Sequence, residues 1–236
     1  MTASATETEL ANLPALGGRR TNLRDDIIAT LQASIVAGVM RPGVTYSAPQ
    51  LAQQFDVSAT PVREAMLDLV KEGLVVTIRN KGFRVVEPSD RELDELTELR
   101  LLIEVPTVRR IAEIGVSRPV LVQLRELAEE IEAAGRRRDF VAHNKSDMRF
   151  HRLLLSQAGN EQLVRMVMAL RRRSRLYGLA ELADRDQLIP TLLEHTELID
   201  LIEAGDAEAA EALMARHIGH VRAEWARAEL DATPHG

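Results

Sequence analysis

The chain has 236 residues, a formal net charge of −6 and no cysteine. The absence of cysteine excludes disulfides and thiolate metal sites and favours a reducing interior, and the acidic balance argues against non-specific coating of nucleic acid. No uncharged run is longer than that of residues 27–40, which is too short to span a bilayer, and the polar first ten residues do not resemble a signal peptide. We therefore expect a cytoplasmic protein without membrane association.

The two ends of the chain lack a sustained apolar pattern. Residues 1–22 are expected to form a flexible arm and residues 231–236 a tail. After the arm, apolar side chains recur at helical spacing and predict a first helix; they are Ile27, Ile28, Leu31, Ile35 and Val39.

The next segment predicts two short helices joined by a tight polar turn. The first carries Leu51, Ala52 and Phe55 on one face, and residues 56–59 form the turn. The second helix starts near Thr60, where Ser58 or Thr60 would supply the N-cap and Pro61 would occupy the first helical turn. Its buried face is expected to contain Val62, Ala65, Met66, Leu69 and Val70, and Gly73 ends it.

A β-hairpin follows, with strands at residues 74–78 and 83–86 and a turn at 79–82. Arg79, Lys81 and Arg84 crowd around its tip, where cations can meet phosphates. Each piece alone fits an ordinary helical hairpin with a solvated ribbon. The order of the pieces favours a winged helix-turn-helix that binds DNA, over residues 23–88.

Beyond residue 88 the pattern predicts an all-α bundle of six or seven helices over residues 89–230, built mainly from aliphatic side chains. Breaks are expected at Gly115, Gly135, Gly159, Pro190 and Gly205. The predicted helices span residues 90–114, 119–135, 139–157, 160–182, 188–204 and 206–230.

The bundle contains one group of residues suited to metal chemistry. Asp147 and His151 are four residues apart, so they project from one helix face, and His195 and His217 lie on two further helices. A mixed imidazole and carboxylate set suits Zn, Ni, Mn or Fe. The spacing alone leaves open that these histidines are surface or hydrogen-bonded core residues.

Residues 57–66, with 80–85 downstream, resemble the DNA-binding domain of GntR-family transcription regulators, and the run Thr-Pro-Val-Arg-Glu-Ala at 60–65 is the specific part. The chain departs from the family at Pro49 and Ala59, where arginines are common, which puts the family's usual operator in doubt. The resemblance therefore assigns DNA contacts to Ser58, Thr60, Arg63, Arg79, Lys81 and Gly82.

Residues 90–225 resemble the FCD effector domain, whose metal-containing members share an Asp-x-x-Phe-His motif and two further histidines. The resemblance implies that one divalent ion binds to Asp147, His151, His195 and His217, with Zn as the first expectation and Ni, Mn or Fe as alternatives. His143 and His220 match no family ligand and are expected to flank the site.

A small carboxylate is the expected effector of such a domain. Arg100 matches a family arginine, although Arg100 and Glu104 would also form an ordinary intrahelical ion pair. One arginine of the run 171–175 could bind the carboxylate, although most of that run is expected to be solvated. The candidate effector contacts are Arg100, Asn144, Arg173 and Tyr177.

These elements predict a ligand-responsive transcription regulator that binds palindromic half-sites on double-stranded DNA as a homodimer, and the resemblance implies that it is a repressor. The alternative is a metal-dependent enzyme acting on a small organic acid and fused to a DNA-binding head. Such an enzyme needs a base or nucleophile beside the metal, and no motif such as His-Glu-x-x-His supplies one. The regulator is therefore the favoured interpretation.

Overall fold

The computed structural model describes residues 4–6, 10, 12–13, 23–36, 38–174 and 188–232, and for residues 36, 188–190 and 221–232 it describes the backbone alone. The chain divides into two compact units, residues 1–88 and residues 89–236. Each unit has its own apolar core: Leu31 and Met66 are fully buried in the first, and Ile131 and Phe150 in the second.

The first unit is a winged helix-turn-helix, which confirms the predicted fold. Its elements are α1 (Leu23–Val36), β1 (Thr45–Tyr46), α2 (Ala48–Gln54), α3 (Ala59–Lys71), β2 (Val75–Ile78) and β3 (Gly82–Val85). The strands form an antiparallel sheet in the order β1-β3-β2. Helix α1 packs against α3, and α3 also packs against α2 and β2.

A capping interaction explains where α2 begins, whereas α3 begins without one. Ser47 caps α2 through a capping box with Gln50, which satisfies two backbone N–H groups at once. Helix α3 begins at Ala59, so Ser58 rather than Thr60 is its N-cap, although the Ser58 side chain makes no capping bond. The turn between the helices holds Asp56 at φ +53°. The polar turn predicted there is thus present.

Strand β1 is the element that the sequence analysis missed, because two residues are too short to show a strand period. It pairs with β3 through Thr45 opposite Arg84 and Tyr46 opposite Phe83. Gly82 makes this close pairing possible. It has φ +127°, and a Cβ atom there would lie 2.3 Å from the carbonyl oxygen of Tyr46.

Part of the predicted flexible arm contacts the sheet. Ser4 forms a parallel bridge with Thr45, and the backbone N–H of Ala5 donates to the Thr45 carbonyl at 2.9 Å. The side chains of Leu10 and Leu13 are buried. These described residues differ from the free arm expected for residues 1–22, because strand pairing at an edge needs no periodic apolar pattern.

The second unit confirms the predicted all-α bundle. Its described residues form α4 (Asp90–Ile114), α5 (Arg118–Arg136), α6 (Phe140–Ser156), α7 (Glu161–Ser174), α8 (Leu188–Ala204) and α9 (Ala207–Ala232). Helix α4 packs against α7 and α9, and α5 packs against α6 and α8. None of the described helices is both long enough and apolar enough to cross a membrane.

Two predicted breaks behave differently in the structure. Gly135 lies inside the last turn of α5, where a Cβ atom would come within 2.6 Å of Cδ2 of Leu192 in α8. This glycine therefore permits a close helix contact, and the chain reverses at Arg138, which has φ +58°. Pro190 lies in the first turn of α8, where a missing N–H is tolerated. The predicted helix end at residue 182 lies outside the described residues.

We expect Gly82→Ala to destabilise the first unit by about 2 kcal/mol or more, because the added methyl collides with the Tyr46 carbonyl at a backbone angle that L-residues avoid. Hydrogen exchange of the β2 and β3 amides would report the loss. Gly219→Ala is the control: its Cβ would meet nothing within 4 Å, so a helical alanine there should be neutral or stabilise by about 0.5–1 kcal/mol. Unchanged exchange in Gly82→Ala would contradict this prediction.

Candidate metal centre and nucleic-acid interface

The second unit brings together the four residues that the sequence singled out as metal ligands. Asp147 and His151 lie one turn apart on α6, His195 lies on α8 and His217 on α9. One donor atom from each falls within 4.8 Å of the others, and all four side chains are buried. Three helices therefore direct an aspartate and three imidazoles into one small volume.

Hydrogen bonds orient two of the imidazoles. His195 places Nδ1 3.3 Å from the Leu192 carbonyl oxygen and Nε2 3.1 Å from Oδ1 of Asp147. His217 places Nδ1 2.9 Å from Oε2 of Glu194. Because the Glu194 carboxylate at Nδ1 favours the tautomer protonated there, Nε2 of His217 keeps its lone pair. His195 has an acceptor beside each ring nitrogen, so its hydrogen bonds do not select one tautomer.

The third imidazole, His151, is fully buried, and neither ring nitrogen has a hydrogen-bond partner among the described residues. Its Nε2 lies 3.6 Å from Oδ1 of Asp147. Burial lowers the pKa of His151 well below its usual value, and the nearby Arg171 guanidinium lowers it further. A neutral buried imidazole without a hydrogen bond is costly unless something else binds it, and the neutral form is the one that ligates metals.

The donor set fits a divalent cation. Donors on opposite sides of an ion with bonds of about 2.1 Å lie up to about 4.2 Å apart, so the observed 4.8 Å limit requires only small side-chain shifts. Phe150 closes one side, with its ring centroid 4.9 Å from that of His195 and 5.1 Å from that of His151. The arrangement thus combines suitable donors with exclusion of bulk water.

Next to this group lies a buried network of opposite charges. Glu104 accepts from Nε of Arg100 at 2.8 Å and from Nε and Nη2 of Arg171 at 2.9 and 2.5 Å. Nη1 of Arg171 lies 3.6 Å from Oδ2 of Asp147, which links the network to the metal donors. Burial raises the pKa of Glu104, but the Arg171 and Arg100 guanidinium groups outweigh that effect and lower it to about 2. The carboxylate is therefore charged at any physiological pH.

The structure separates the four candidate effector residues. Arg100 is buried, and its Nη2 has no hydrogen-bond partner within the described part of the chain. Asn144 is half-buried on α6, with a buried Oδ1 that is likewise without a partner there. Arg173 is exposed, because it lies two residues from the inward-facing Arg171. Tyr177 lies outside the described residues.

Two residues that contact the candidate metal donors, Arg171 and Glu194, are not individually predicted from the sequence. The sequence presents Arg171 only as one member of a basic run, yet in the structure it shares an inward face of α7 with Val167, Leu170 and Ser174. The sequence pattern does not single out Glu194, although its carboxylate contacts His217. Helical phase would have selected Arg171 over Arg173, whereas the Glu194 contact depends on the packing of α8 against α9.

In the first unit, the predicted DNA-contacting residues lie on an accessible face. Arg63 on α3 and Arg79 and Lys81 at the hairpin tip are exposed and line one groove of about 400 Å³ together with Gly82 and the start of α2. Ser58 and Thr60 are exposed at the start of α3. Three cations around one groove can bind phosphate or guanine edges despite the overall acidity of the chain.

Comparisons with known proteins agree with both units. Residues 23–85 match the family model of bacterial regulatory proteins, gntR family, and residues 95–220 match the FCD domain. The chain is 28% identical to a probable D-xylose utilization operon transcriptional repressor of Paenarthrobacter nicotinovorans, over 92% of this chain and 91% of the relative. It is 27% identical to the galactonate operon transcriptional repressor of Escherichia coli, over 80% and 91% respectively. The solved structure of McbR/YncC from E. coli superposes with a TM-score of 0.71 at 25% identity, covering 84% of this chain and 94% of that one.

Glu104→Gln should destabilise the second unit by about 3–5 kcal/mol, because it leaves two buried guanidinium groups without their shared counter-charge. The control Glu113→Gln breaks only an exposed ion pair with Arg109 and should change stability by less than about 1 kcal/mol. Urea unfolding at pH 7 measures both.

The same variants test the pH dependence. The folded Glu104 carboxyl has a pKa of about 2 against an ordinary 4.5, so its contribution is fully present above pH 4.5 and declines as the pH falls toward 2. The stability gap between wild type and Glu104→Gln should therefore narrow in acid. A gap that is small at pH 7, or that does not narrow, would refute the buried network as described.

Proposed function

The chain belongs to the GntR family of bacterial transcriptional regulators and carries an FCD domain, and from this premise we propose that it is a repressor controlled by a small carboxylate. The carboxylate would bind beside a divalent ion in the second unit and release the operator. The observation that carries the proposal is the convergence of four buried candidate metal donors that are linked, through Arg171 and Glu104, to the buried Arg100, whose Nη2 has no hydrogen-bond partner among the described residues.

Asp147, His151, His195 and His217 would hold the ion, with Zn as the first candidate and Ni, Mn or Fe as alternatives. The unpartnered nitrogens of His151 support this assignment, since an ion there would remove the cost of burying them. An ion that prefers five or six ligands would supply open coordination positions for the oxygens of a carboxylate.

We propose that Arg100 binds the carboxylate group of the effector. Arg171 directs two nitrogens at Glu104, whereas Arg100 directs one at Glu104 and retains Nη2 for another acceptor. A charge-assisted hydrogen bond from a buried guanidinium favours an anion over a neutral sugar. The name of the galactonate operon repressor refers to a sugar acid of this chemical class. Asn144 would contribute a polar contact from α6, and Arg173 and Tyr177 are weaker candidates.

The DNA-binding part of the proposal rests on the groove of the first unit. Arg63 would read a base edge, while Ser58, Thr60 and the cations of the wing would position the head on phosphates. Two copies related by a two-fold axis would place their heads on half-sites about one helical turn apart. We accordingly propose a cytoplasmic homodimer on a palindromic operator.

The effector can change operator affinity only through a difference in its affinity for the DNA-bound and free arrangements of the dimer. The coupling must then be reciprocal, so operator DNA weakens effector binding by the same factor. Typical couplings of about 1–3 kcal/mol would lower operator affinity by roughly 5–150-fold.

Arg63→Ala should weaken operator binding by about 1–3 kcal/mol while affecting non-specific DNA little, because the contact is to a base. Lys81→Ala should weaken binding to all sequences and reduce the salt slope by about one unit, because the contact is to a phosphate. Gel-shift titrations at several salt concentrations distinguish the two. Arg136→Ala, which breaks an exposed pair with Glu132, is the control and should change neither quantity. Wild-type operator affinity in Arg63→Ala would remove the basis of the assignment.

His195→Ala should lose stoichiometric Zn²⁺ and the carboxylate response together. In the Zn²⁺-loaded wild type, calorimetry should detect binding of a sugar acid or dicarboxylate. Free Zn²⁺ at 100 times its Kd should raise the melting temperature of the wild type by about 5–10 °C. The matched ligand pair is galactonate and galactitol, two open-chain molecules that differ in whether carbon 1 is a carboxylate or an alcohol. His143→Asn, which keeps a donor near the Ile131 carbonyl, is the protein control and should retain the ion. Equal carboxylate binding by metal-stripped, folded protein would refute direct coordination.

A further inference from the structure

The three imidazoles of the candidate metal centre differ in their hydrogen-bond partners. The relevant atom in each ring is the outer nitrogen, which is the one that would not bind the ion. His217 has a carboxylate oxygen of Glu194 at 2.9 Å, His195 has a neutral backbone carbonyl at 3.3 Å, and His151 has no hydrogen-bond partner in the described residues. A charged acceptor polarises an N–H group more strongly than a neutral one. The three ligands are therefore unequal, and the strongest outer contact is at His217.

We propose that Glu194 is a positioning residue for the metal centre, which fixes the tautomer and orientation of His217 and strengthens its other nitrogen as a ligand. This inference rests on the proposed metal site. An imidazole that donates from Nδ1 to a carboxylate has its proton held there, so Nε2 presents a lone pair of increased basicity. Without that acceptor the proton can occupy Nε2 and block coordination.

Glu194 is itself held in place from the outside. The residue is 5% exposed on α8, and its second oxygen, Oε1, lies 3.2 Å from Nε of Arg216 and 3.1 Å from Nδ1 of His220, both on α9. Arg216 also contacts Glu197, one turn along α8. One oxygen of the Glu194 carboxylate thus contacts the His217 ring, and the other contacts the half-exposed Arg216 guanidinium. The Arg216 charge offsets the cost of burying the carboxylate.

The test is Glu194→Gln, which keeps the shape but replaces a carboxylate by an amide that can either accept from or donate to Nδ1. We expect the Zn²⁺ dissociation constant to rise about 10–100-fold, measured by competition with a chromophoric chelator. The second measurement uses the ion-free protein: long-range ¹H–¹⁵N spectra should show His217 protonated at Nδ1 in wild type and a mixture of tautomers in the variant. Glu194→Asp retains the charge and should restore part of the affinity.

Glu197→Gln is the matched control. It removes a second carboxylate partner of Arg216 on the same helix but does not contact His217, so Zn²⁺ affinity should stay within about twofold of wild type. Wild-type affinity in Glu194→Gln, or an unchanged tautomer, would overturn the positioning role while leaving the metal site intact. A wild-type protein that binds no Zn²⁺ would instead overturn the metal site and the positioning role with it.

Discussion

Burial of charge is the constraint on which the second unit depends. Arg100, Glu104, Asp147 and Arg171 are each at most 1% exposed, and an isolated ion at such a position costs several kcal/mol. They are stable there because each faces an opposite charge. Arg171 on α7 contacts Glu104 on α4 and Asp147 on α6, so the pairing that neutralises the core also fixes these three helices relative to one another. The candidate site and the helix packing are therefore parts of the same network.

What the sequence could predict followed from periodicity. Helix α4 has the predicted bounds because a capping box at Ser89 and a glycine at 115 mark its ends, and an uninterrupted apolar stripe lies between them. The four candidate metal donors could be selected from the sequence because Asp147 and His151 share one helix face and match a motif. Strand β1 was missed because it is stabilised only by pairing with β3, a long-range contact that leaves no local pattern.

Residues that act through other residues were the hardest to predict. Glutamate and arginine are common on the exposed faces of helices, so the residue types of Glu194 and Arg171 do not mark them. Their roles depend on which side chain of a neighbouring helix faces them. Arg173 is equally basic and only two positions from Arg171, yet it is exposed, because that step along a helix turns the side chain to the opposite face. The residue type indicates which chemistry is available, and helix packing decides which of several residues of that type lies in the site.

The charge balance of the buried centre bears on which ligands it can select. Two guanidinium groups, from Arg100 and Arg171, face two carboxylates, from Glu104 and Asp147, and these four charges sum to zero. Glu194 is balanced in the same way by Arg216. A divalent ion would therefore add two uncompensated positive charges to a volume from which water is largely excluded, where charge interactions are stronger than in solution. A bound carboxylate would lower that excess and a neutral polyol of the same shape would not, so under the proposed function the charges of the protein itself would favour a sugar acid over its neutral counterpart.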